Sequence, residues 1–246
     1  MARALRGQAA VAAELSVIDE ETAADAGMSA VDRAYHRISD AILSGSISAG
    51  KHLTEAAIRD EIGVGRGAFR EALYRLESDG FLELHPNRGA MVRRLSRQDL
   101  AEFFQYRVVV ESYACKRAAQ RIDELGCRDR ALELFRELRG YIEGTEARPF
   151  VDHNEDFHES LVQLSGNRIL YSQWKRLRLP MLRIRRVMEA WPPQDRGSVQ
   201  QHVDILEAVL DGRESDAEQF MAAHIQQTHR FAQRLSDQDF DRVFNP

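Results

Sequence analysis

Cysteine is scarce in this chain of 246 residues, where only Cys115 and Cys127 occur. Two thiols exclude a disulfide framework, and Cys115 falls in an apolar helical pattern that is typical of a buried, reduced side chain. No apolar run approaches the roughly 18 residues of a membrane span, and the N-terminus lacks the basic-then-apolar layout of a secretory signal. We therefore expect a cytoplasmic protein that does not associate with membranes.

A strong excess of charge of one sign is also missing. The formal net charge is −5, yet residues 31–95 carry ten Lys or Arg against nine Asp or Glu. This balance excludes a diffuse basic surface, but it permits DNA binding through a few placed arginines. With 43% hydrophobic and 30% charged residues, the chain is expected to form one or two globular domains.

Residues 1–30, rich in alanine and weak in periodicity, are expected to form a flexible N-terminal arm. Residues 31–95 follow a tighter pattern, with three short helices near 31–45, 54–63 and 66–78. The stretches "FLEL" and "AMVRRL" then flank "HPNRG", whose Pro, Asn and Gly indicate a hairpin turn. Three short helices and a hairpin predict a winged helix-turn-helix domain.

Residues 96–238 show no further strand pattern. "SRQD" at 96–99 has the form of a capping box and opens the first of about six helical segments. They are predicted near 96–122, 128–143, 148–165, 168–190, 198–211 and 216–235. The fold class is therefore mainly α, with the winged helix-turn-helix followed by an all-helical antiparallel bundle.

The third predicted helix has the two faces of a DNA-reading helix. Phe69, Ala72, Leu73 and Leu76 gather on one side, and Arg66, Gly67, Arg70 and Tyr74 gather opposite. A guanidinium can pair with guanine through two hydrogen bonds, which suits arginines near a helix start for the major groove. The alternative is a solvated surface helix whose arginines pair with neighbouring acids.

Three histidines of the second half are spaced to meet. Asn154 and His158 stand four residues apart on one helix. His202 and His224 lie equally far from residue 213, at the predicted turn between the last two helices, so an antiparallel pair brings them to one level. Three imidazoles with one oxygen ligand predict a transition-metal site with open positions. The alternative is a set of buried histidines satisfied by hydrogen bonds.

The stretch from "YHRISDAILSG" through "REALYRLESDG" to "PNRGAMV" resembles the winged helix-turn-helix of GntR-family transcriptional regulators. The helical remainder resembles the FCD ligand-binding domain of the FadR-like subgroup, so the resemblance covers about residues 31–236. It implies a DNA-binding regulator, usually a repressor. Helix-turn-helix geometry further favours a homodimer on a pseudo-palindromic operator, because one reading helix contacts too few base pairs.

The chain departs from the family in its reading helix. Members usually carry Ser-Arg-Thr-Pro-Val where this chain has "GRGAF" at 65–69, so hydroxyls are lost at Gly65 and Gly67. A glycine cap costs only a few tenths of a kcal/mol, so we expect the helix to form. Arg66, Arg70 and Arg88 at the tip of the wing would then supply most of the recognition.

The resemblance also implies ligands in the helical domain. Many FCD domains bind a divalent metal through Asp or Asn-x-x-x-His and two later histidines, which "NEDFH", "QQHVDIL" and "MAAHI" match with Asn154, His158, His202 and His224. Zn or Ni is the expected ion, although Asn154 is a weaker ligand than Asp. Neutral ligands leave the cation uncompensated, so a small carboxylate effector would complete the site.

Arg107 in "YRVVVE" matches a cavity arginine of the family and is the predicted effector-binding residue. Its alternative role is a surface salt bridge to Glu111, four residues on. Two other classes of function stay open from the sequence alone: a metal-dependent hydrolase, and a metal-sensing interaction module that no longer reads DNA.

Overall fold

The computed structural model describes residues 27–53, 62–85, 89–146, 150–176, 181–182 and 197–246. Three features predicted from the sequence lie wholly or mainly outside these ranges: most of the N-terminal arm, the helix expected at 54–63, and Arg88 at the tip of the wing. Contacts divide the chain into two compact units, one ending at Leu95 and the other beginning at Ser96; the C-terminal segment Asp237–Pro246 belongs to the first unit.

The first unit combines helices with a small sheet. Its elements are α1 (Ala30–Ser44), β1 (His52–Leu53), α2 (Arg66–Ser78), β2 (Leu82–His85) and β3 (Gly89–Val92). The antiparallel strands run in the order β1-β3-β2, and Met91 pairs with both His52 and Glu83. Helices followed by a hairpin in a sheet are the winged helix-turn-helix arrangement predicted from the sequence.

Local signals and packing together explain helices α1 and α2. The Ser29 side chain accepts a hydrogen bond from the backbone N–H of Asp32 and caps α1, whereas Gly65 begins α2 without a side-chain cap. Phe69 and Leu76 of α2 are buried. The Tyr35 hydroxyl donates to Asp79 at 2.6 Å, which ties α1 to the end of α2.

The second unit is entirely helical where the structure describes it. Its helices are α3 (Arg97–Gln120), α4 (Cys127–Glu143), α5 (Phe150–Leu164), α6 (Arg168–Lys175), α7 (Gly197–Leu210) and α8 (Glu214–Gln233). The predicted capping box at the start of α3 is present, with Ser96 and Asp99 each accepting from the other's backbone N–H. The mainly α fold class is therefore confirmed. The helix predicted at 168–190 is described only as far as Lys175.

Helices α3 and α8 pack antiparallel along most of their length. Gln120 bonds to Glu214 at 2.6 Å, Lys116 pairs with Glu218 at 2.9 Å, and Arg97 donates to the Leu235 carbonyl at 2.8 Å. This register sets the interior of α3 against the interior of α8, where the predicted ligands lie. Among the described residues, no helix is long and apolar enough to cross a membrane.

A further helix, α9 (Asp237–Phe244), follows α8 and was not predicted from the sequence. It packs within the first unit, with Phe240, Val243 and Phe244 buried. The backbone N–H of Ala49 donates to the Pro246 carbonyl at 3.0 Å. The first unit is therefore built from two parts of the chain that lie far apart in sequence.

Candidate metal centre and DNA-reading helix

His158, His202 and His224 meet inside the helical unit, one each from α5, α7 and α8. Their relative exposures are 2%, 0% and 4%, and one ring nitrogen from each lies within 4.8 Å of the others. The α7–α8 turn contains Gly212 at φ 67°, a left-handed conformation that favours glycine. His202 and His224 flank this turn symmetrically, and their Nε2 atoms are 3.2 Å apart.

Hydrogen bonds at the far nitrogens fix how two of these rings face the cluster. His158 Nδ1 lies 2.6 Å from Glu111 Oε2, and a carboxylate can only accept, so Nδ1 carries the proton. His224 Nδ1 lies 2.9 Å from Gln201 Oε1, while the Gln201 amide nitrogen donates to Gln227. Both imidazoles therefore turn an Nε2 lone pair toward the cluster.

Burial favours the uncharged form of the three rings. Desolvation lowers the pKa of His158, although Glu111 acts in the opposite direction. Desolvation also lowers the pKa values of His202 and His224 well below the ordinary value, and the neighbouring histidines add to the effect. Neutral imidazole is the form of histidine that binds metals.

Three imidazole nitrogens are a donor set typical of divalent transition metals, and one pair of them already stands at ligand spacing. Two nitrogens bound to one ion at about 2.0–2.1 Å stand roughly 3.3 Å apart at a tetrahedral angle, which matches the 3.2 Å between the Nε2 atoms of His202 and His224. The His202 ring is held by stacking on Phe157, with centroids 3.8 Å apart and planes at 11°. Among the described residues, His202 Nδ1 has no hydrogen-bond partner.

Arg107 lies beside this cluster rather than on the surface. Its side chain is 5% exposed, and Nε and Nη2 pair with the Glu111 carboxylate at 2.5 and 3.1 Å. The sequence offered a surface salt bridge to Glu111 as the alternative; the pair forms, but it is buried and touches His158. Glu111 itself was not predicted as a site residue; it also accepts a hydrogen bond from Trp174 Nε1 at 3.0 Å.

Other residues of this region take different positions. Asn154 lies on α5 one turn before His158 and is half-buried. His153 is fully buried, but it pairs with Glu137 at 2.9 Å and is not part of the three-histidine cluster. His229 stacks on Phe104, with centroids 4.8 Å apart.

The reading face of α2 is exposed as the sequence predicts. Arg66, Gly67, Arg70 and Tyr74 are all exposed, and Tyr74 is 65% accessible. No atom lies within 4 Å of a Cβ built on Gly65 or Gly67, so the lost hydroxyls leave open space beside the helix start. These four positions of α2 are therefore open to solvent, as a helix that enters a DNA groove requires.

A winged helix-turn-helix with an exposed arginine helix, followed by an all-helical unit, is the arrangement of a class of DNA-binding transcriptional regulators. Comparison of sequences makes the class specific. Residues 30–92 match the bacterial regulatory proteins of the gntR family, and residues 68–227 match the FCD domain. The chain belongs to the GntR family of transcriptional regulators, within its FCD-containing group.

Individual relatives agree with this assignment. The chain is 26% identical over 198 residues to the HTH-type transcriptional repressor RspR of Escherichia coli, covering 79% of this chain and 85% of RspR. It is 32% identical over 180 residues to the Nta operon transcriptional regulator of Aminobacter aminovorans, covering 72% and 82%. The solved structure of E. coli McbR/YncC matches 83% of this chain and 97% of its own, with TM-score 0.63 and 19% identity, and so shares the fold.

Family membership sets aside the hydrolase alternative, because the matching proteins are regulators of transcription and not enzymes. GntR regulators bind DNA operators, so double-stranded DNA is the partner of the first unit.

Proposed function

We propose that this protein is a homodimeric repressor whose affinity for a pseudo-palindromic operator changes when a small carboxylate binds at a divalent metal in the helical unit. His158, His202 and His224 would hold the ion, with Asn154 as a fourth, neutral ligand. The observation that carries the proposal is the convergence of three buried imidazoles, two of which, His158 and His224, turn their Nε2 lone pairs toward the cluster.

Charge explains why the effector should be an anion. Arg107 and Glu111 neutralise each other, and the histidines are uncharged, so a bound Zn or Ni ion would leave about two positive charges in a buried site. Within the described residues, Nη1 of Arg107 makes no hydrogen bond. A carboxylate can bind the metal through one oxygen and accept from this nitrogen through the other.

The winged helix-turn-helix unit would contact DNA mainly through arginine side chains. Arg66 and Arg70 stand one turn apart at the start of α2, where the helix dipole also favours phosphate. Tyr74 and Gly67 complete the face, and Arg88 would extend recognition to the wing. Gly67 has no side chain for a base or phosphate, so the contact set is narrower than in relatives with threonine there.

The dimer surface is proposed on α3. Tyr106, Val109 and Tyr113 repeat at i, i+3 and i+7 and are 36%, 69% and 44% exposed, which forms an uncharged stripe on one side of the helix. A two-fold axis through Val109 would pair this stripe with its copy. The helix begins at Arg97, two residues after the winged helix-turn-helix unit ends at Leu95. A shift of α3 on effector binding would therefore alter the distance between the two winged helix-turn-helix units of the dimer.

A mobility shift on the DNA upstream of the protein's own gene tests the proposal. We expect salt-sensitive binding that weakens in Arg66→Ala and persists in Arg128→Ala, an exposed arginine of the bundle. With Zn²⁺ or Ni²⁺ present, one member of a panel of small carboxylates should change the affinity, and His224→Ala should abolish that response while keeping DNA binding. The proposal would be overturned if Arg66→Ala bound DNA as tightly as Arg128→Ala does. It would also be overturned if the response to the carboxylate survived in His224→Ala.

A further inference from the structure

Glu111 is a buried carboxylate of the helical unit that accepts several hydrogen bonds. It is not one of the proposed metal ligands. It is 1% exposed and accepts hydrogen bonds from three residues on three helices. Arg107 donates twice from α3, His158 Nδ1 donates at 2.6 Å from α5, and Trp174 Nε1 donates at 3.0 Å from α6. A buried polar group with this many partners holds a single geometry.

The carboxylate is charged as well as buried. Arg107 donates to both carboxylate oxygens, and His158 and Trp174 donate to one oxygen each, so the carboxylate is surrounded by donors and ion-paired to a guanidinium, which favours its ionised form. His158 is therefore bonded to an anion. An imidazole that donates Nδ1–H to a carboxylate is a stronger base at Nε2 than one that donates to a neutral group.

The three histidines differ in what supports them. His158 has the Glu111 carboxylate, His224 has the neutral amide oxygen of Gln201, and His202 is held by stacking on Phe157. Only His158 can gain both a fixed tautomer and added basicity from its partner. It is therefore the ligand expected to bind a cation most strongly.

We propose that Glu111 is a positioning residue for the metal centre: it fixes His158 with the Nε2 lone pair toward His202 and His224 and strengthens this one ligand. The inference rests on the proposed function, since it concerns the same ion. Trp174 shares the Glu111 carboxylate, so its indole reports on the arrangement of this pair.

The test compares Zn²⁺ affinity and the visible spectrum of the Co²⁺-loaded full chain among variants. Glu111→Gln keeps an acceptor but removes the charge, and should weaken Zn²⁺ binding about 10–100-fold, as loss of such partners does elsewhere. It should also shift the Co²⁺ absorption bands and the Trp174 fluorescence change on metal binding. Glu137→Gln is the matched control, because it alters the partner of His153, a buried histidine outside the cluster.

A second variant guards against loss of folding. Glu111→Gln leaves Arg107 buried without its counter-ion, which is destabilising, whereas Arg107→Gln with Glu111→Gln removes both charges together. The double variant should fold and still bind Zn²⁺ more weakly than the unchanged protein. Affinity and Co²⁺ spectra equal to those of the unchanged protein in either folded variant would overturn the inference while leaving the metal centre intact. Absence of Zn²⁺, Ni²⁺ and Co²⁺ binding by the unchanged protein would overturn the metal centre itself.

Discussion

Asn245 holds the backbone of Leu95, 150 residues earlier in the chain, through two hydrogen bonds. Its Oδ1 accepts from the Leu95 N–H at 2.8 Å, and its Nδ2 donates to the Leu95 carbonyl at 3.0 Å. Leu95 is the last residue of the first unit before α3, so the segment directly after α9 secures the point where the chain leaves the DNA-binding unit.

We therefore expect Asn245→Ala to lower the free energy of unfolding of the first unit by about 1–3 kcal/mol, because two part-buried backbone groups lose their partner. Gln238→Ala, at an exposed position of α9, the helix that ends directly before Asn245, is the control and should have little effect. Urea unfolding followed by circular dichroism measures both. Equal unfolding midpoints for the two variants would show that the hydrogen bonds between Asn245 and Leu95 do not stabilise the unit.

The sequence predicted helices well where the signals are local. The first bundle helix was expected at 96–122 and runs from Arg97 to Gln120, because a capping box marks its start. The helix α9 was missed because an eight-residue segment carries too little periodicity to define a helix alone, and its stabilising partners lie far away in sequence.

The candidate site likewise has parts that the sequence predicted and parts that it did not. The meeting of His202 and His224 follows from their equal distance to one turn, and the structure brings them to 3.2 Å. His158 was grouped with this pair from its helix position and from the family resemblance, but no symmetry about a turn places it beside them. The role of Glu111 depends on a contact with His158 across 47 positions in the chain, which a single sequence does not encode in any local pattern.

Gly89 occupies the start of β3 with φ 82°, and a Cβ there would stand 2.8 Å from the carbonyl oxygen of Leu53. Gly89→Ala should therefore strain the backbone and separate β1 from β3, with a loss in stability of roughly 1–3 kcal/mol and weaker DNA binding. Gly67→Ala, in open space within a helix, should instead stabilise the protein by about 0.5–1 kcal/mol. Thermal unfolding distinguishes them, and a neutral Gly89→Ala would contradict the account.

Gly65 has the extended backbone of an N-cap, with φ −68° and ψ 155°, but no side chain to cap α2. Gly65→Ser should add a few tenths of a kcal/mol to stability and raise DNA affinity through a phosphate contact. Gly65→Ala fills the same space without a hydroxyl and should not raise affinity. Fluorescence anisotropy with labelled operator at two salt concentrations measures the change; equal affinities for the serine and alanine variants would exclude the hydroxyl effect.

Val109 is 69% exposed at the centre of the proposed dimer stripe. Val109→Glu would place two like charges across a two-fold axis in an apolar contact, so it should dissociate the dimer and weaken operator binding. Leu132→Glu adds the same charge at a 37% exposed position of α4 and is the control. Sedimentation velocity gives the oligomeric state, and a dimer that persists in Val109→Glu would move the interface away from α3.

The buried histidines should make the chelator-treated protein sensitive to acid. The pKa values of His202 and His224 are lowered in the folded state by desolvation, whereas in the unfolded chain they titrate near about 6.5. As the pH falls below that value, the unfolded chain takes up protons that the folded protein excludes, so the free energy of unfolding decreases. His202→Leu should flatten this dependence between about pH 6.5 and 5. Urea titrations at several pH values measure it, and identical slopes for His202→Leu and the unchanged protein would contradict the burial of a neutral histidine cluster.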